Sequence, residues 1–296
     1  WLYEATKLAG DIHHERALQA REAGKYEIAE REFAAAVQSY EQAAEVGRSD
    51  AEVYEGLAET WIRQMEMANQ RGQQIERTYA KAMEASDKIS QAEPHSLSGK
   101  LKKAFAVMIP TAVSGNRLRS EAQVQLCLTA AGAVLSQDPS NPYARDIVAS
   151  CHLAFAELAV SQGKDPTPVL HKAIAVLEPA LQSHPTFLWG RNELASCYLV
   201  LGSYQQVRGD ASAVEGLEKA LLYQEQVASL DPEYLFALQN ILYTRLFLTL
   251  AAQNEAELER MLAHADTVFA RCLKINSQFQ QCYLNYGEIY ARAAQR

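Results

Sequence analysis

Apolar and small residues recur at intervals of three and four along nearly the whole chain. Leu57, Ala58, Trp61 and Met65 fall on one helical face in this way, and so do Leu194, Ala195, Tyr198 and Leu201. Leu217, Ala220, Leu221 and Val227 form a third stripe, in which Gln224 is the one polar intrusion. Sustained alternation and Asn-Gly hairpin turns are absent, so the pattern predicts helices throughout. It breaks at two interleaved series of positions. Ser49, Pro94, Pro139, Pro185, Pro232 and Ser277 are spaced 45, 45, 46, 47 and 45 residues apart, and Gly24, Gly72, Gly115, Gly163, Gly209 and Asn254 fall between them. Two stop series with one shared period mean a repeated pair of elements. A helix pair of this kind cannot bury its apolar face alone, so neighbouring units must stack.

The spacing predicts thirteen helices. Six pairs cover about 2–23 and 25–47, 50–70 and 73–91, 95–113 and 118–137, 142–161 and 167–183, 187–207 and 211–230, and 233–252 and 255–275; a lone helix follows at about 278–294. The fold expected is all-α: a right-handed superhelical solenoid of antiparallel helix hairpins, one domain over 1–296. Its units run at about 1–48, 49–93, 94–138, 139–184, 185–231 and 232–276, with a closing helix at 277–296 whose polar end, Arg292 to Arg296, would be solvated. The stops have plain chemistry. Pro139, Pro185 and Pro232 push the residue before them out of the α region. Gly163 and Gly209 suit the left-handed residue after a helix end, and Asp165 before Pro166 suits a helix start. Pro110 should kink or end its helix, Pro179 should bend another, and Thr111 to Ser120 reads as a flexible elbow.

Composition narrows the picture. Of 296 residues, 48% are hydrophobic and 22% charged, a balance that folds rather than staying disordered. The net charge of -8 argues against nucleic acid and against an anionic membrane surface as partner. No apolar run approaches the roughly 20 residues of a membrane span, and no leader pattern opens the chain. The first residue is Trp1, so the expectation is a segment of a longer protein, in the bacterial cytoplasm. Five cysteines, none in a C-x-x-C pair, read as buried reduced thiols.

The repeats resemble the tetratricopeptide repeat. In that family the first helix carries a large residue, an adjacent small one, and an aromatic three later. Here Leu57-Ala58-Trp61, Val148-Ala149-His152, Leu194-Ala195-Tyr198 and Tyr286-Gly287-Tyr290 follow that order, whereas Lys103-Ala104-Val107 and Ile241-Leu242-Arg245 match poorly. In the second helices Ala173 with Ala180 and Pro185, and Ala265 with Phe269, fit the pattern, and Ala220 with Asp231-Pro232 fits in part. The usual unit has about 34 residues. The excess of about 11 is close to three turns of helix, which can be added without rotating the buried face away. Armadillo or HEAT stacks share the longer period and are the alternative. The opening stretch, Trp1 to Ala5 and Gly10 to His13, with Gly47 to Asp50 and Val53 to Glu55, is similar to the helical-repeat region that follows the catalytic domain of large bacterial serine/threonine kinases. That resemblance implies a sensor or docking arm.

Chemistry is scarce. Ser98-Gly99-Lys100 lacks the upstream glycine and the strand of a phosphate loop, and no kinase catalytic loop or Asp-Phe-Gly is present. Asp11, His13, His14 and Glu15 form the densest group of potential ligands, but on a helix only Asp11 and His14 share a face; they read as a solvated surface. His152 reads as a core histidine. Lys100, Lys102, Lys103, Arg117 and Arg119 make the one basic cluster, a solvated face or a dock for an acidic or phosphorylated segment. No catalytic residue, metal site or cofactor is expected.

The expected function is protein recognition: a regulatory or scaffold arm that holds a partner segment in a concave groove. The resemblance places that groove on the first helices, at Tyr143, Asp146 and Ser150; Trp189, Asn192 and Ser196; Phe236, Gln239, Asn240 and Tyr243; and Asn285, Glu288 and Arg292. Amides suit a peptide backbone, and aromatics supply apolar area at low entropy cost. The family's clamp for a terminal carboxylate needs basic partners that do not accompany Asn240 and Asn285. The alternatives are a module that pairs with its own copy to set the geometry of fused domains, and, remotely, an enzyme with a site assembled in space.

Overall fold

Why each helix stops where it does is visible in four matching turns. Gly24, Gly72, Gly163 and Gly209 have φ of 71, 67, 70 and 71°, a region in which a side chain is strained. In each, the glycine N–H bonds the carbonyl three residues before it and the next N–H bonds the carbonyl five residues before it, as in Gly163 to Val160 and Lys164 to Ala159. These paired bonds satisfy carbonyls that a helix end leaves open. The other turn series uses acids and amides. Asp50, Asp138, Asp231 and Asn276 accept from the backbone N–H two residues on, at 2.9–3.0 Å. Asp165 does the same for Thr167 at 2.9 Å.

Between these stops, a computed structural model describing residues 2–112 and 120–295 contains thirteen helices and no strand among the described residues. They are α1 (Leu2–Glu22), α2 (Tyr26–Val46), α3 (Ala51–Gln70), α4 (Glu76–Ala92), α5 (Ser98–Ala112), α6 (Glu121–Leu135), α7 (Pro142–Ser161), α8 (Thr167–Ser183), α9 (Leu188–Val207), α10 (Ala213–Leu230), α11 (Leu235–Ala251), α12 (Glu255–Ile275) and α13 (Gln280–Ala293). The odd-numbered helices are the first members of the hairpins. The fold is an all-α helical repeat. Pro110 does not end its helix: α5 continues to Ala112. So close to the C-terminus the proline removes one rung of the ladder and little else. Pro179 likewise lies inside α8. Most of the expected elbow, with Gly115, Arg117 and Arg119, falls outside the described residues.

The chain divides into two compact units, Trp1–Ala154 and Phe155–Arg296. In the first, α1 packs on α2, α3 on α4 and α5 on α6, while α3 touches both α1 and α5 directly. Its core includes Phe33, Tyr40, Leu57, Ile62, Met65, Met67, Ile89 and Ile109. The Tyr40 ring lies against Gly10 and Gly56, where any Cβ would come within 2.7 and 2.6 Å of it. Its hydroxyl donates to Asp11 at 2.6 Å. In the second unit α9 packs on α10, α11 on α12, and α11 touches α9 and α13. Leu217, Leu238, Ile241, Leu242, Val268 and Ile289 fill one continuous core there. Gln224, the polar intrusion, is fully buried and accepts from Thr244 Oγ1 at 2.9 Å.

Separations of 40–46 residues, close to the sequence period, recur between bonded residues. His14 and Thr60 bond at 2.9 Å, Arg21 and Glu66 at 3.1 Å, and Lys7 and Glu52 at 2.9 Å. Asn69 Nδ2 donates to the Ile109 carbonyl at 3.4 Å. In the second unit Gln206 Nε2 donates to the Phe247 carbonyl at 2.9 Å and Asn285 Nδ2 to the Gln239 carbonyl at 3.1 Å. Each pair joins one hairpin to the next.

The cysteines require a correction. All five are buried, but four are not reduced: Cys127 on α6 is bonded to Cys151 on α7, and Cys272 on α12 to Cys282 on α13. Inward-facing positions on packed helices put the Cα atoms 6.0 and 6.6 Å apart, within reach of a disulfide. Cys197 is a buried thiol outside these bridges.

Candidate functional site

The first helices of the second unit carry the row of side chains expected to face a partner. α11 touches both α9 and α13, so these three first helices lie side by side. Trp189 and Asn192 on α9, and Phe236, Gln239 and Asn240 on α11, are half-buried, while Tyr243 is 40% exposed. The aromatics are held by their neighbours. Phe236 meets Phe279 edge to face with ring centres 5.9 Å apart, and Tyr243 meets Phe247 in the same way at 5.1 Å. Burial pushes the Tyr243 phenol up from its ordinary value, with the Glu157 carboxylate adding to the shift. It is therefore a neutral donor at neutral pH. The side-chain amides of Gln239 and Asn240 bond to nothing among the described residues. Asn192 Oδ1 is buried without a hydrogen-bond partner. Ser196 Oγ is spent on the Asn192 carbonyl at 3.1 Å.

Three expected residues do not present an open surface. Asp146 and Ser150 on α7 are 6% and 5% exposed, and Asn285 on α13 is 5% exposed. Asn285 is consumed by its bond to the Gln239 carbonyl and by accepting from Gln281 Nε2 at 3.0 Å. At Asn285 the helix face turns into the joint with the preceding hairpin. Tyr143 is 40% exposed, with the Phe105 ring 6.4 Å away. Glu288 and Arg292 are exposed and pair with each other at 2.8 Å.

In the first unit the corresponding helices carry charges instead. Arg63 on α3 bonds Glu59 at 2.6 Å and Glu66 at 2.9 Å; Lys102 on α5 reaches Glu59, and Arg21 on α1 reaches Glu66. Burial pushes the Glu59 carboxyl up, but Arg63 and Lys102 outweigh it and hold it at about 2. Burial likewise pulls the Arg63 guanidinium down, and Glu66 and Glu59 reverse the effect. His14, beside them, is kept below its ordinary value by burial. The solvated surface expected at Asp11, His13, His14 and Glu15 holds for Asp11 and Glu15, which are exposed, and is corrected at the two histidines. His14 is buried against Thr60, His13 bonds Glu32 at 2.7 Å, and Asp11 accepts from Tyr40. Of the described basic cluster, Lys102 and Lys103 are engaged by Glu59 and Asp87. His152 is half-buried. No group of three metal-ligating side chains occurs among the described residues, and no helix there is long and apolar enough to cross a membrane.

No family model matches the chain, and no curated protein is similar to it at a significant level. Solved structures are similar in fold. One is TTC0263, a thermophilic TPR protein of Thermus thermophilus, with a TM-score of 0.53 and 14% identity over 79% of this chain and 99% of that one. Others are MamA, at 0.42 and 14% over 77% and 92%, and the P58(IPK) TPR domain, at 0.35 and 15% over 97% and 66%. The likeness to the first is one of fold: an all-α helical repeat resembling that of a TPR protein.

Proposed function

We propose that this chain is a non-catalytic protein-recognition module that binds an extended partner segment along the first-helix wall of its second unit. The observation that carries the reading is the open row on α9 and α11. Trp189, Phe236 and Tyr243 offer rigid aromatic area there, and Gln239 and Asn240 keep their amides unbonded. Free amides beside half-buried rings suit a peptide, whose backbone needs donors and acceptors every residue and whose side chains need apolar cover. The resemblance of the opening stretch to the repeat region of bacterial serine/threonine kinases supports a regulatory or scaffold arm of a larger signalling protein.

The test is a peptide selected from a random display library on the whole chain, with its affinity measured by calorimetry. The double substitution Trp189→Ala, Tyr243→Ala is expected to weaken it at least tenfold while the helical circular-dichroism signal stays constant. Unaltered affinity would remove this wall from the site.

A further inference from the structure

Second helices α2 and α4 stand apart over α3 and leave a cleft of about 320 Å³, at the small end of the range for ligand pockets. Leu57 and Trp61 of α3 form its floor, Glu41 and Glu45 of α2 with Arg48 just beyond it one wall, and Lys81, Glu84 and Lys88 of α4 the other. The second unit has a cleft at the equivalent place, four hairpins further on. Glu41, Ala44, Leu57 and Trp61 become Glu225, Ala228, Ile241 and Arg245 at one constant offset. Lys81, Ala85 and Lys88 become His264, Val268 and Arg271, with one residue fewer in the intervening stretch.

The two clefts differ in who occupies them. In the second unit Arg245 bridges the walls, with its guanidinium 3.5 Å from Glu225 and 3.1 Å from His264 Nδ1. The space left there is about 140 Å³. In the first unit the arginine is replaced by Trp61, and Arg48, which also lines the cleft, pairs with neither Glu41 nor Glu45 among the described residues. Glu41 and Glu45 make no ion pair or side-chain hydrogen bond among the described residues. The lysines opposite do not answer them, because Lys81 and Lys88 both turn to Glu84, at 3.0 and 3.1 Å. An aromatic ring of this cleft already carries a cation: Lys88 Nζ lies 5.6 Å from the centre of Tyr54.

We infer that the cleft between α2 and α4 is a receptor for an arginine side chain of a partner protein, seated over Trp61 and ion-paired with Glu41. The guanidinium takes the place that Arg245 fills internally in the second unit. A planar, weakly hydrated cation over an indole face, with a carboxylate at its edge, is the pairing that favours arginine. This site is separate from the wall of α9 and α11, so either can fail without the other.

The probe is a capped five-residue peptide of glycine and alanine with one central arginine, titrated into the whole chain while the Trp61 indole N–H resonance is followed by NMR. Saturable movement of that resonance is expected. The same peptide with citrulline, which keeps the shape and loses the charge, is expected to bind at least tenfold more weakly, and Glu41→Gln should weaken the arginine peptide by a similar factor. Trp61→Arg should abolish binding by filling the cleft from within; its fold is checked by circular dichroism. Arg245→Trp should open the second cleft and add a second binding event. Equal binding of the citrulline peptide, preference for a glutamate peptide, or indifference to Glu41→Gln would each overturn the inference. The Glu41→Gln arm stands even if Trp61→Arg does not fold.

Discussion

The two units use the same hairpin and line it with opposite chemistry. In the first, the packed faces of α1, α3 and α5 are bridged by Arg21, Glu59, Arg63, Glu66 and Lys102. In the second, α9, α11 and α13 are joined by amide-to-carbonyl bonds and carry aromatic rings. Buried ions must be matched, since an unmatched one costs several kcal/mol, and a wall whose charges satisfy one another has few left for a partner. Amides and rings pack without that constraint and keep valences free. The difference teaches that the first unit matches charge across its hairpins, whereas the second joins them through amides and leaves those of Gln239 and Asn240 unbonded among the described residues.

The largest test of this contrast is a matched pair of substitutions. Arg63→Met takes one of two cationic partners from each of Glu59 and Glu66, which are about three-quarters and four-fifths shielded and keep only Lys102 and Arg21, and is expected to cost about 2–3 kcal/mol in urea unfolding. Arg245→Met abandons a long contact to the more open Glu225 and should cost about 1 kcal/mol. Equal losses would erase the distinction between the walls.

Acid provides the next. The Glu59 carboxyl sits at about 2 when folded, against an ordinary 4.5. Its stabilisation is therefore complete above pH 4.5 and disappears as pH falls through the interval down to 2, a loss on the order of 3 kcal/mol. His14 acts earlier and in the same sense. Its folded value is depressed, so stability starts to decline once pH drops below the ordinary histidine value of about 6.5. Chemical unfolding across pH, repeated on Glu59→Gln, should show the lower interval only in the parent chain. The smallest effect has the opposite sign. A Cβ at Gly287 on α13 would meet nothing within 4 Å, so Gly287→Ala should stabilise the chain by about 0.5–1 kcal/mol through helix propensity alone. A loss in thermal unfolding would show that α13 packs more tightly than its exposed face suggests.

The helices and their ends were legible because the signals are local: a glycine that must turn left, or an acid that bonds the amide two residues on. The partly exposed places of Trp189, Phe236 and Tyr243 were legible, since they follow from helical register. Those of Asp146, Ser150 and Asn285 were not, because register places a residue on a flank without saying how closely the next hairpin approaches that flank. The ionic net around Arg63 was hidden for a related reason: charged residues read as solvated unless their partners, one period away, are considered with them. The cysteine pairing was equally a matter of two helices meeting. One departure was itself legible. Ile241-Leu242-Arg245 departs from the pattern that Leu57-Ala58-Trp61 obeys, and that departure is the difference between a filled cleft and an open one.

The bonds that reach from His14 to Thr60, from Arg21 to Glu66 and from Asn285 to Gln239 constrain how such a chain can change its length. Deleting a complete helix pair returns a first helix to the place of a first helix, with Phe105 and Thr111 standing where Thr60 and Glu66 stood, whereas losing a single helix sets a second-helix face there instead. Growth and shrinkage in this architecture are therefore quantised in hairpins, and the side-chain stitching must be remade at each new joint.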